Sequence, residues 1–176
     1  MEGELIHVDR MDEKPWFLHS DDQMVIGLGR PKCGVLIGDQ HQQLATDSPV
    51  TCGVSGRKHI LLGHADGTIS SLSGSEISKE SASIESLICT EDGFVSALDS
   101  GDLVARNASG GELWNAKGGQ VSTHSASFNN LHWCGRYDES SGSIEVRDFE
   151  GKLLTSSKIS KPRVSIAAKN RIAFGF

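Results

Sequence analysis

Shifted on itself by 34 residues, the chain brings Pro15 onto Pro49, Gly29 onto Gly63, Val35 onto Ile69, Gly67 onto Gly101 and Ile69 onto Leu103. A sequence that repeats at this period is a tandem array of one supersecondary unit, because each unit is too small to bury its apolar face alone and must stack on its neighbours. The repeat therefore fixes architecture before any single residue is considered.

The unit from 49 to 82 shows how such a piece folds. Val50 to Val54 alternates apolar and small residues, Ser55-Gly56 turns the chain, and His59 to Gly63 follows. Asp66-Gly67 is a hairpin signal of the type I′ kind, in which both central residues take positive φ. Thr68 to Leu72 is then a third strand, Gly74 ends it, and Glu76 to Lys79 is an outer one. The same order is expected in the units 15 to 48, 83 to 120 and 121 to 160, with an outer strand near Leu44 in the first and a long hairpin through Arg136 to Gly142 in the last.

In each unit the second strand is the most apolar: Met24-Val25-Ile26, Ile60-Leu61-Leu62, Phe94-Val95, and Leu131 with Trp133. Outer strands such as SEISKE and KLLTSS are mixed and charged. A strand covered on both faces reads as a continuous apolar run. An inner-to-outer gradient of this kind suits four-stranded sheets packed face to face around an axis better than a flat sandwich.

The close of the 121 to 160 unit, SGSIEVRDFEGKLL, resembles the end of a WD40-type repeat, with Arg147-Asp148 where that family carries Trp-Asp. The other units place Gly38-Asp39, Leu72-Ser73 and Arg106-Asn107 there, so the similarity is to the broad WD40-like and quinoprotein-like β-propeller class. The resemblance implies an all-β propeller of short four-stranded blades, serving as a rigid platform for a protein or peptide partner. Four complete blades are expected, with an incomplete fifth split between 161–176 and 1–14, in which Gly3 to Ile6 matches the outer strands at Gly111 and Gly151. The ring is then either closed and five-bladed or a partial propeller, and unpaired strand edges would draw in a second copy as a homodimer.

The chain has 176 residues, 17 basic against 23 acidic, for a net charge of -6. That balance argues against nucleic acid and anionic membrane as partners. No stretch approaches the ~20 apolar residues of a membrane-spanning helix. Cys33, Cys52, Cys89 and Cys134 are 19, 37 and 45 residues apart, without the close pairs of a zinc site, and fit free thiols in a reducing compartment. A cytoplasmic protein is expected. Asn107-Ala108-Ser109 matches the glycosylation sequon but is read as a chance match.

Candidate partner-binding residues come from the loops that join second to third strands and unit to unit, since these share one face of the disc. They are Arg30, Lys32 and His64, with the insertion Arg136, Tyr137, Asp138 and Glu139, which holds the only tyrosine. No cofactor, metal or catalytic residue is expected. His19, His59 and His132 lie in or beside strands without a ligand-spaced companion, and Gly27-Leu28-Gly29 opens no helix to hold a phosphate. Trp16, Trp114 and Trp133 are read as packing between blades. The alternative, a glycan- or small-molecule-binding ring, would need equivalent polar residues in each unit, and Arg30, His64 and Arg136 differ.

Overall fold

The structure is a computed structural model describing residues 15–20, 24–28, 34–37, 40–43, 48–55, 60–118, 121–128, 131–138, 141–161, 164–168 and 171–176, with side chains described in 48–54, 60–118, 134–137, 141–161 and 176. The described residues are all-β. Eighteen strands run in chain order from β1 (Pro15–Ser20) to β18 (Arg171–Gly175). Four sheets each take four consecutive strands as an antiparallel meander: β1 to β4, β5 to β8, β9 to β12 and β13 to β16. The last sheet, β17 (Val164–Ala168) with β18, has two strands. The expected partner strand at Gly3 to Ile6 lies outside the described residues.

Burial follows the predicted gradient. The second strand β10 (Gly93–Leu98) is buried at every position, and β6 (Ile60–His64) at all but its first. The outer strand β16 (Leu153–Lys158) is exposed throughout. The apolar cores lie between sheets rather than within one. Cys52, Val54, Leu61 and Ile69 of the second sheet meet Ile84, Leu87, Phe94, Leu98 and Val104 of the third. The opposite face of the third, through Ile88, Val95, Ala97, Leu103, Ala105 and Ala116, packs on Cys134 of the fourth, with Trp114 and Phe149 at the margin. Alternate residues of one strand thus serve two seams, as a period of two demands.

Three expectations need correction. The hairpin at Asp66-Gly67 is not type I′. Gly67 donates its N–H to the His64 carbonyl at 3.1 Å with φ of 86°, closing a three-residue loop that ends in the left-handed region. Asp66 stabilises it by accepting from the Thr68 N–H at 3.0 Å. Gly101 repeats this turn 34 positions on, with φ of 86° and its N–H on the Leu98 carbonyl at 2.8 Å, so the register of glycines in the sequence is a register of turns. Second, β14 runs from Leu131 to Asp138, with Arg136 opposite Glu145 and Tyr137 opposite Ile144. The hairpin predicted to begin at Arg136 therefore begins after Asp138. The outer strand of the first sheet is likewise Gln40–Gln43, earlier than the expected Leu44.

Candidate functional site

Three of the proposed partner-binding residues are buried strand residues. His64, Arg136 and Tyr137 are only 2%, 4% and 5% exposed. This corrects their placement on an open loop face: His64 ends β6, and Arg136 and Tyr137 lie within β14, all three buried. Asp138 is the last residue of β14, and Arg30, Lys32 and Glu139 lie outside the described residues.

His64 ties the second sheet together. Its Nδ1–H donates to the Ser48 carbonyl at 3.2 Å, which leaves Nε2 to accept from the Ser70 hydroxyl at 2.8 Å. A serine on an imidazole nitrogen is the geometry of an activated nucleophile. Ser70 is however only 3% exposed, so no substrate reaches it, and the pair is a clamp between adjacent strands.

Charge fills the seams in a pattern that differs from one to the next. Between the second and third sheets, Glu80 follows β8 (Glu76–Lys79) and reaches Arg106 on β11 (Leu103–Asn107), with Nε to Oε1 at 2.6 Å and Nη2 to Oε2 at 2.8 Å. Ser96 donates to the same carboxylate at 3.4 Å. Between the third and fourth sheets, the position of Glu80 belongs to Gly118 and that of Ser96 to Arg136. A Cβ on Gly118 would stand 2.3 Å from Nη1 of Arg136, so the guanidinium occupies the slot that a side chain at 118 would fill. There Nη1 donates to the carbonyls of Gly101 at 3.2 Å and Ala116 at 3.1 Å. The balancing carboxylate comes from the sheet's own third strand: Oε2 of Glu145 accepts from Arg136 at 2.9 Å and Arg147 at 3.3 Å.

Arg147, at the position of the family's tryptophan, holds a turn instead. Its Nη1 donates to the Gly151 carbonyl at 3.0 Å, as Nη1 of Arg106 does to Gly110 at 2.9 Å. The Nε of Arg147 is buried without a partner. Glu80 and Glu145 look like ordinary charges on polar strands, and the sequence gives no sign of the partners that Arg106 and Arg147 meet. Their one visible signal was that Arg106 and Arg147 share a place in the repeat.

Lysines end the outer strands at one equivalent position. Lys79 pairs with Asp66 at 2.5 Å and Lys117 with Asp102 at 2.8 Å. Burial alone would raise the Asp66 and Asp102 carboxyls, but the hydrogen bonds from these lysines, with backbone N–H groups of Thr68 and Gly118, outweigh it and hold both below the usual range. Lys158 closes β16 opposite Ser143, and no acid among the described residues meets it. The described residues contain no group of three metal-ligating side chains.

No protein family and no curated protein matches the sequence. Solved structures do match its fold. The computationally designed Ika8 protein aligns with a TM-score of 0.68 at 21% identity over 90% of this chain and 54% of its own. BBS1N, solved in complex with ARL6DN, aligns at 0.68 and 10% identity over 93% of this chain and 61% of its own. The WD40 β-propeller domain of Doa1 aligns at 0.60 and 14% identity over 82% of this chain and 54% of its own. The chain thus spans between half and two thirds of these three propellers.

Proposed function

We propose that this chain, whose fold is that of the WD40-like and quinoprotein-like β-propellers, is a non-enzymatic scaffold that binds a protein or peptide partner. The observation that carries this reading is how the buried polar groups are used. His64 is engaged by Ser70, Arg106 by Glu80 and Arg136 by Glu145. All of them brace one sheet or one seam, and among the described residues none forms a solvent-reaching set of acid, base and nucleophile. Such bracing stiffens the sheets and leaves recognition to the surface. Arg30, Lys32, Asp138 and Glu139 remain our proposed contacts with the partner. BBS1N with ARL6DN is one similar fold that holds a protein. The net charge of -6 favours such a partner over nucleic acid or membrane. Cys52, Cys89 and Cys134 are in no disulfide, which fits the reducing cytoplasm.

The test is reconstitution with a purified partner. A protein captured by the wild-type chain is purified and rebound, and one-to-one binding that is lost in an Arg30→Glu, Lys32→Glu, Glu139→Lys variant supports the reading. Undiminished binding by that variant rejects the loop face. We further propose that two copies of the chain associate through unpaired strand edges. Sedimentation equilibrium giving twice the chain mass of 18.9 kDa is the expected result, and a concentration-independent monomer rejects the homodimer. The glycan-binding alternative gains no support, because His64 and Arg136 are buried.

A further inference from the structure

We infer that β16 is a docking edge for an extended acidic peptide segment, which adds to the fourth sheet as a fifth antiparallel strand. This goes beyond the loop-face reading, since it concerns the rim of the disc and stands whatever the loop face binds.

Three observations converge on β16. Among the described residues it is the outermost strand of its sheet and is hydrogen-bonded only to β15 (Ser143–Asp148), so one row of its backbone N–H and C=O groups faces outward. The outer strands of the second and third sheets each bury part of themselves: Ser78 in β8, and Ala116 in β12 (Glu112–Ala116). All six residues of β16 are exposed, with Leu153 and Leu154 at 44% and 53%. A six-residue edge of this kind is the template on which β-augmentation works, with main-chain bonds giving affinity and alternate side chains giving selection.

The third observation names the occupant. From Lys152 to Lys161 the sequence KLLTSSKISK carries three lysines and no acid, in a protein of net charge -6. Lys152 and Lys158 are exposed at either end of the strand. The position of Lys158 is matched by an aspartate in the two preceding sheets, by Asp66 for Lys79 and by Asp102 for Lys117, and here meets Ser143 instead. Pairing of β16 with β16 of a second copy would set lysine against lysine at both ends, which cross-strand electrostatics disfavours. A strand with glutamate or aspartate at its ends and small apolar residues against Leu153 and Leu154 satisfies both the backbone and the charge.

The probe is a fluorescein-labelled peptide of alternating valine and threonine with two glutamates at each end, titrated with the full chain and followed by anisotropy. Saturable binding is expected. It should weaken at least tenfold in a Lys152→Glu, Lys158→Glu variant, which alters only exposed side chains, and at least tenfold when alternate peptide nitrogens along one edge are methylated. The same peptide with lysines at its ends should bind the charge-reversed variant better than the wild type. Binding that survives charge reversal overturns the acidic preference, and binding indifferent to N-methylation on either edge overturns strand addition. Absence of saturable binding at millimolar chain, with circular dichroism confirming the β fold, overturns the proposal, as does self-association that the charge-reversed variant abolishes. None of these outcomes bears on the loop-face variant above, so the two readings fail separately.

Discussion

Arg106 and Glu80 meet across the seam between the second and third sheets as a two-bonded ion pair, with side-chain exposures of 14% and 4%. Neither residue is on the same sheet's strand as the other, so the pair acts as a staple between blades. Donating to Glu80 raises the Arg106 guanidinium above its ordinary value, and the burial that opposes this is the smaller effect. Removing one partner of such a pair leaves a desolvated charge, which costs about 3–5 kcal/mol. Glu80→Ala should therefore lower stability by about that amount in urea unfolding, while Lys79→Ala, at the half-exposed pair with Asp66, should cost less than about 1 kcal/mol. Equal losses would show that the seam pair contributes no more than a surface one.

Gly67 and Gly74 share a φ near 85° but not their surroundings. A Cβ on Gly67 would lie 2.5 Å from the Glu80 carbonyl oxygen, whereas one on Gly74 would meet nothing within 4 Å. Gly74→Ala should cost about 1 kcal/mol of left-handed backbone strain. Gly67→Ala should cost more, because the clash is with backbone that also accepts no displacement without breaking the 2.9 Å bond from the Glu80 N–H to the Gly67 carbonyl. Thermal unfolding of the two variants side by side checks the order.

Burial pushes the thiols of Cys52 and Cys134 up to about 12. The thiolate is the reactive form. In a Cys33→Ser, Cys89→Ser background, labelling by a disulfide reagent at neutral pH should be no faster than unfolding and should accelerate with urea. Prompt stoichiometric labelling in native buffer would contradict the sealed seams.

Acid should weaken the fold through Asp102. Its carboxyl is held below the value of about 3.9 that it takes in an unfolded chain, so its contribution is complete above that pH and is lost as pH falls through the folded value. Asp102→Asn should flatten the fall in urea midpoint between about pH 5 and pH 3. Glu85 has the opposite sign. Burial, with the charge of Asp99, raises its carboxyl, so it detracts from stability as pH rises through that value, and Glu85→Gln should raise the midpoint slightly at neutral pH. A steeper acid loss in Asp102→Asn would reverse the assignment.

Strand order and most strand positions were legible because repetition multiplies weak signals. One aspartate-glycine pair is a turn, and the same glycine 34 positions later is a plan. Ile84–Cys89, Val164–Ala168 and Arg171–Gly175 form strands along their apolar runs. Arg136 and Tyr137 were misplaced for a physical reason. Arginine beside tyrosine, aspartate and glutamate looks like a solvated hairpin, and local pattern does not register that Gly118, eighteen residues earlier, vacates a slot for the guanidinium. Likewise Glu80 reads as the polar end of an outer strand until its partner arrives from the next sheet, 26 residues on. Periodicity reports faces of a strand, whereas seams depend on what two periods bring together.

The contrast between Glu80 with Ser96 and Gly118 with Arg136 makes the blades non-interchangeable. A chain rebuilt with the unit 83–120 followed by a copy of itself would bring Arg106 to a junction where Gly118 stands in place of Glu80, and its guanidinium would lose its buried carboxylate and keep only the half-exposed Glu112 at 3.8 Å. Each junction is a lock cut for one key, so the linear sequence of units carries an assembly order that their shared backbone shape alone would leave degenerate.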